Sequence, residues 1–250
     1  MYGIFVGLGA LAVLLYCGCS RKWTRFPEAD RELALIYGLI GMAVGAKLMW
    51  LATVLPQFLA DIPRLFSDPV AFAQGYLLGG FVFYGGLLGV LLTWWIYCRV
   101  EKLPFYELCR SLMPVVPLFH AFGRVGCFFT GCCYGRAARG WGVVYSFSHI
   151  APNGVALVPV QLMEAGAEAI LFVRLVQMVR KGKDGRHMLC FWLAAYGLVR
   201  FVLEFFRGDT YRGILGPFSL AQWISMGVVA LAVGLTAAGR SRKHAGSAAK

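Results

Sequence analysis

The sequence predicts an all-α integral membrane protein of seven transmembrane helices, with the N-terminus outside, the C-terminus in the cytoplasm and one span broken or re-entrant. Three observations carry this. Apolar residues make up 59% of the 250 residues and charged ones only 14%. Apolar runs of about 20 residues, enough to cross the hydrocarbon core, recur along the whole length. Lys and Arg alternate between two sets of loops: 15 of the 24 fall in 20–32, 99–110, 180–186 and 239–250, and five in 60–74, 131–154 and 207–215. That asymmetry sets the orientation by the positive-inside rule.

The expected spans, in order, are 1–19, 33–59, 75–98, 110–130, 155–179, 187–206 and 216–238. The first has no basic n-region and no small-residue cleavage site, so it reads as a helix and not a signal peptide. Tyr16 ahead of Cys17 is too large for a lipidation site. The second is long enough to tilt or to bend near Pro56. The third carries Tyr84-Gly85-Gly86-Leu87-Leu88-Gly89, a glycine density that lets helices approach closely. The fourth is interrupted by Pro114, Pro117 and several glycines, which is tolerated at membrane depth only where protein or water satisfies the freed backbone. The fifth and sixth carry most of the intramembrane charge, and the seventh carries none. Residues 1–238 form one expected polytopic domain and 239–250 a short, basic, irregular cytoplasmic tail. The net charge of +12 is mostly this topology signal, with some attraction to anionic headgroups. Its distribution argues against nucleic acid as a partner.

Charges at bilayer depth cost several kcal/mol, roughly 2.5–3.5 on insertion scales, and mark functional sites by default. Arg200, Glu204 and Arg207 are spaced to share one helix face. Arg200 and Glu204 form an expected ion pair inside the bundle, and helix-end snorkelling explains Arg207 better than Arg200. Gln161, Glu164 and Glu168 also share a face and need cationic partners, with Arg124, Arg200 and Lys47 available. Glu164 either orients a functional arginine or acts directly. Arg174 lies off that face near the cytoplasmic end and snorkels. Arg124 sits between Gly123 and Gly126, where small residues let a ligand come close. Guanidinium binds phosphate with a planar fork and keeps its charge when buried. Two such arginines at membrane depth point to a clamp for a lipid phosphate, against the blander reading of carbonyl-bound packing arginines.

Of eight cysteines, Cys17, Cys19, Cys98, Cys109 and Cys190 sit in or beside apolar spans, where a thiol is a small hydrophobe. Cys127, Cys132 and Cys133 are clustered, but they make no C-x-x-C pair and His120 is the only nearby imidazole. Zinc sites normally use paired ligands at short regular spacing, so no metal is expected. A disulfide here requires that the segment open to the outer face.

At this point the residues match a family. The chain resembles the prolipoprotein diacylglyceryl transferases of bacteria through Gly45-Ala-Lys47-Leu48, Gly85-Gly-Leu-Leu-Gly89, Gly123-Arg124-Val-Gly126, Pro159-Val-Gln161-Leu-Met-Glu164, Arg200-Phe-Val-Leu-Glu204-Phe-Phe-Arg207 and Ser219-Leu-Ala-Gln222-Trp-Ile-Ser225, in that order along most of its length. The resemblance implies a multi-pass enzyme of the bacterial inner membrane. It moves diacylglycerol from phosphatidylglycerol to the thiol of a lipobox cysteine in a preprolipoprotein and releases glycerol 1-phosphate, with no cofactor. It puts Arg124 and Arg200 at the two essential arginines, with Glu204 beside the second. Lys47, Gly85, Gly86, Gly126, Cys127, Cys132, Gln161, Glu164 and Arg207 are the expected substrate-binding positions.

The departures define the rest. The family's usual histidine before the Gly-Gly-Leu-Leu-Gly run is Tyr84 here, the usual asparagine and glutamate of the signature are Cys127 and Cys132, and Lys47 replaces a common arginine. A tyrosine with a pKa near 10 is a poor base, which leaves His120, four residues before Arg124, as the substitute, with Tyr84 the other candidate for handling the proton. The Cys-rich signature recurs in divergent members. Rival readings are a diacylglyceryl transferase with another acceptor, a lipid transporter, and a non-catalytic lipid binder. Transporters often carry internal repeats, and none is visible.

Overall fold

The computed structural model describes residues 1–24, 26–77, 79–209 and 213–248. In order the helices are α1 (Tyr2–Ser20), α2 (Glu28–Thr53), α3 (Leu55–Ala60), α4 (Arg64–Ser67), α5 (Pro69–Leu77), α6 (Phe83–Val100), α7 (Phe105–Leu112), α8 (Val115–Thr130), α9 (Val160–Arg180), α10 (Gly185–Glu204) and α11 (Leu220–Ala248). Two short hairpins interrupt them: β1 (Val143–Val144) with β2 (Ala156–Leu157), and β3 (Ile214–Leu215) with β4 (Phe218–Ser219). Arg25 and Arg212, which contribute to the loop asymmetry, lie outside the described residues, as do the last two residues of the tail.

Among the described residues, five helices are long and apolar enough to cross a membrane, and six when the bent pair α7–α8 counts as one span. The protein is a multi-pass, α-helical membrane protein. Its polarity is inverted relative to a soluble fold. Ile36, Leu39, Ile40, Val44 and Leu48 of α2 are all exposed, whereas Arg124, Glu164, Glu168, Arg200 and Glu204 are buried. Lipid accepts the first set, and only the bundle interior accepts the second. α9 falls outside the apolar set because Gln161, Glu164, Glu168 and Arg174 interrupt it. Within its unit it packs against both α8 and α10.

Several span ends move for local reasons. α2 stops at Thr53 and α3 starts afresh at Leu55 with Pro56 in its first turn, so the expected bend is a break. Pro lacks the N–H that a continuing helix needs, and the first turn is where that loss costs nothing. The fourth span breaks as expected: α7 and α8 meet at 42° around Met113 and Pro114. Pro117 falls in the first turn of α8 and is absorbed there. Residues 155–159 and 216–219 are not helical; they pair in the two hairpins or connect to the next helix. The expected irregular tail is helical in its backbone as far as Ala248.

The described residues form two compact units, residues 27–105 and residues 1–26 with 106–250. In the first, α2 packs on α6. A Cβ on Gly45 would strike the carbonyl oxygen of Gly85, and one on Gly89 would strike that of Gly41. These glycines let the two backbones touch. In the second unit, α1 packs on α8, α9 on α8 and α10, and α10 on α11. A strap over the ends of α9 and α10 closes it. Arg136 N–H donates to Phe206 O at 2.8 Å, Gly208 N–H to Tyr134 O at 3.0 Å, and Val158 N–H to Arg136 O at 3.0 Å. Val158, Val160 and Leu203 form a small apolar core beneath it, with Ala138, Val199 and Phe206 against them.

Candidate active site

Three helices of the second unit each present a ladder of side chains one turn apart. α8 supplies His120 and Arg124, α9 supplies Glu164 and Glu168, and α10 supplies Trp192, Tyr196, Arg200 and Glu204. Residues at i and i+4 lie one above the other on a helix. The helices run alternately up and down, so the ladders meet rung by rung.

In the inner rung, His120 Nδ1 lies 2.7 Å from Glu168 Oε1, and Trp192 Nε1 donates to Glu168 Oε2 at 3.2 Å. In the central rung, Glu164 is 1% exposed and gathers the charges. Arg124 reaches it with Nη2 on Oε1 and Nε near Oε2, both at 3.0 Å. Tyr196 donates its hydroxyl to Oε1 at 2.9 Å, and Arg200 Nη1 stands 3.6 Å from Oε2. The rungs are linked, since Arg124 Nε also donates to His120 Nε2 at 3.2 Å. That assigns the ring proton to Nδ1, toward Glu168, and turns the basic nitrogen toward Arg124. Trp192 and Tyr196 stack at 5.3 Å, and the His120 ring meets Tyr196 edge-on at 5.4 Å.

The outer rung holds the remaining cations. Arg200 Nη2 lies 2.8 Å from Glu204 Oε2, and Arg207 Nη1 is 3.9 Å from the same oxygen. Arg207 is also gripped by both oxygens of Asp209, with Nε on Oδ1 at 2.9 Å. Burial works against the charge on Arg207, but the hydrogen bonds and charge of Asp209 outweigh it and hold the guanidinium above its ordinary pKa. Arg124, Arg200 and Arg207 therefore each have a carboxylate partner, which compensates their burial. One donor remains: Arg200 Nη1 is buried and makes no hydrogen bond among the described residues. A buried donor without an acceptor costs about 1–3 kcal/mol, which an anion's oxygen would recover.

The expected site residues divide as follows. His120, Arg124, Gln161, Glu164, Arg200, Glu204 and Arg207 come together as described. Gln161 donates its amide to Cys132 O at 2.8 Å and so ties α9 to the turn after α8. Cys127 and Cys132 lie at that turn beside Cys133. Gly126 faces Tyr2 and Phe5, where an added Cβ would fall 3.0 Å and 3.2 Å from their carbons, so it serves the packing of α1 on α8. Tyr84, Lys47, Gly85 and Gly86 belong to the other unit. There Tyr84 is buried in the first turn of α6, and Gly85 and Gly86 pack on α2. Lys47 donates to Gly79 O at 2.9 Å and lies 4.4 Å from the Trp50 ring centre, so its ammonium is held within its own unit. Sequence reasoning missed Tyr196 and Trp192. Their signal was the four-residue step Trp192, Tyr196, Arg200, Glu204, hidden because aromatic residues are ordinary in apolar helices.

The family model for prolipoprotein diacylglyceryl transferase matches residues 1–238. Among similar proteins is a phosphatidylglycerol–prolipoprotein diacylglyceryl transferase of Clostridium tetani, 29% identical over 97% of this chain and 94% of that protein. Another, numbered 2, from Clostridium perfringens is 31% identical over 90% and 85%. One from Aromatoleum aromaticum is 32% identical over 83% and 77%.

Proposed function

The chain belongs to the prolipoprotein diacylglyceryl transferase family, and from that premise we propose that it moves diacylglycerol from phosphatidylglycerol to the thiol of a lipobox cysteine in the bacterial inner membrane. The observation that carries this is the central rung: two buried arginines joined through Glu164, with Arg200 Nη1 in an ion pair but in no hydrogen bond among the described residues. In the reaction sulfur attacks an sp3 carbon of the glyceryl group, the carbon–oxygen bond to phosphate breaks, and glycerol 1-phosphate departs with added negative charge. Fixed cations aimed at that charge supply the main stabilisation. Arg200 Nη1 is the donor for the phosphate oxygens, and the buried charge of Arg124 stands beside it. Glu164 and Glu204 hold the two guanidiniums and Tyr196 holds Glu164, so little reorganisation is needed when the charge develops. His120, with both ring nitrogens engaged, holds Arg124 and Glu168 in register.

The proposed membrane arrangement is seven spans, with the polar α9 counted as the fifth, the N-terminus and residues 131–154 outside, and the C-terminus in the cytoplasm. Residues 1–238 act as one transferase domain, as the extent of the family match supports. A second reading keeps the donor and changes the acceptor, favoured by Tyr84, Cys127 and Cys132 at positions where the family usually carries other residues.

Mass spectrometry of a lipobox peptide incubated with the protein and phosphatidylglycerol tests the assignment. The expected product is the peptide carrying diacylglycerol as a thioether. Arg124→Ala and Arg200→Ala each abolish it, and lysine at either position rescues poorly because a point charge cannot copy the fork. Normal turnover by both alanine variants overturns the clamp. An unmodified peptide with consumed phosphatidylglycerol overturns the acceptor.

A further inference from the structure

The turn after α8 converges three thiols. The Sγ atoms of Cys127, Cys132 and Cys133 all lie within 4.8 Å of one another. The local backbone explains this. α8 ends at Gly131, whose φ of +78° reverses the chain. Cys132 N–H then bonds back to Cys127 O at 3.2 Å, the six-to-one bond of a Schellman turn. That bond returns Cys132 to the level of Cys127. Cys133 follows at φ +55°, a left-handed conformation that a residue with a side chain rarely adopts. Gln161 fastens the turn through Cys132 O. A fold that reverses at glycine and then holds a cysteine in the left-handed region has brought three sulfurs to one point.

Three observations say what that point fits. First, a tetrahedral zinc with bonds of about 2.3 Å sets its sulfurs about 3.8 Å apart, so small rotamer adjustments complete the set. Second, three thiolates and a dication carry one net negative charge, and Arg124, three residues before Cys127 on α8, places a fixed cation one turn away. Third, Cys127 is buried while Cys132 and Cys133 are only half-buried, which leaves one side of the cluster approachable. Three protein ligands with one open position is the pattern of a reactive zinc site, whereas closed structural sites use four.

We propose that Cys127, Cys132 and Cys133 bind one thiophilic dication of the zinc class, with the fourth position open to the sulfur of the acceptor cysteine. The second half rests on the transferase reading above and supplies what it lacks, a means of ionising the thiol where the family's histidine is Tyr84. The acceptor thiol binds the metal and gives its proton to water. Its sulfur lone pair then forms the bond to the glyceryl carbon as the carbon–oxygen bond breaks, and the electron pair leaves on the phosphate oxygen. The thioether product is a weaker ligand than the thiolate and is released. No oxidant or reductant takes part.

The test uses the full chain in detergent, prepared under reducing conditions without chelator. Elemental analysis is expected to find one zinc per chain. Cys127→Ser, Cys132→Ser and Cys133→Ser each lose it, while Cys19→Ser, at an exposed thiol on α1, keeps it. To separate loss of metal from loss of fold, the unaltered protein is stripped with chelator and reloaded with cobalt. The expected spectrum has intense thiolate-to-cobalt charge transfer and tetrahedral visible bands. A cysteine-containing lipobox peptide shifts the visible bands, and its serine counterpart does not. Zinc that is absent from the wild type and not taken up on addition, or a disulfide within the cluster in reduced protein, overturns the site. Cobalt bands indifferent to the peptide overturn the open position. Full transfer by stripped protein overturns the metal's role and leaves the transferase reading standing. Peptide-sensitive cobalt bands without any transfer from phosphatidylglycerol leave the site standing and overturn that reading.

Discussion

Replacing Glu164 by glutamine tests the central rung without changing its shape. The carboxylate is 1% exposed and neutralises two buried cations, at 3.0 Å to Arg124 and 3.6 Å to Arg200. At an effective dielectric of about 20, each such contact is worth about 4 kcal/mol before desolvation is subtracted. Removing one partner of a buried pair costs about 3–5 kcal/mol net, because the other charge stays behind. Glutamine keeps one acceptor oxygen but turns an amide N–H₂ toward a guanidinium, so a loss of about 3 kcal/mol is expected. Arg124 and Arg200 then shift apart, and a displacement of about 1 Å at such groups lowers the rate about 10²-fold. The assays are thermal unfolding in detergent and transfer to a lipobox peptide followed by mass spectrometry. Adding Arg124→Gln to Glu164→Gln should cost less than the two single losses summed, since both halves of the pair are then gone. Wild-type stability and turnover in Glu164→Gln would refute the idea that this carboxylate holds the arginines.

Other outcomes follow from the same geometry. His120→Ala removes the link between Glu168 and Arg124 and should lower transfer by about 10²-fold, whereas Tyr84→Phe should cost less and Tyr84→His should be tolerated; full activity in His120→Ala with a dead Tyr84→Phe reverses the assignment. Gly89→Ala drives a methyl group into the Gly41 carbonyl and should destabilise the α2–α6 pair by about 1–3 kcal/mol, seen as a lower unfolding temperature; an unchanged temperature would mean the helices separate freely. Reporter fusions should place residues 131–154 outside and the C-terminal tail inside, and a periplasmically active reporter on the tail would exclude the seven-span arrangement.

The sequence by itself determined the membrane class, because hydropathy acts through the solvent and needs no tertiary contact. It also determined the pairing of Arg200 with Glu204, a contact within one helix turn. The family was legible from motifs spread along the chain. The tertiary structure decided which acid serves which base. Glu168 takes His120 and Glu164 takes Arg124, pairs separated by 48 and 40 residues, and no local spacing specifies contacts between antiparallel helices. It decided that Gly126 packs on α1, a role no one-dimensional pattern separates from ligand access. It also decided the fate of the cysteines. C-x₄-C-C lacks the spacing of a ligand pair on a strand or knuckle, but a Schellman reversal at Gly131 folds the spacing back on itself. Three thiols then converge because the backbone turns, and backbone direction is a property of the fold, not of the alphabet.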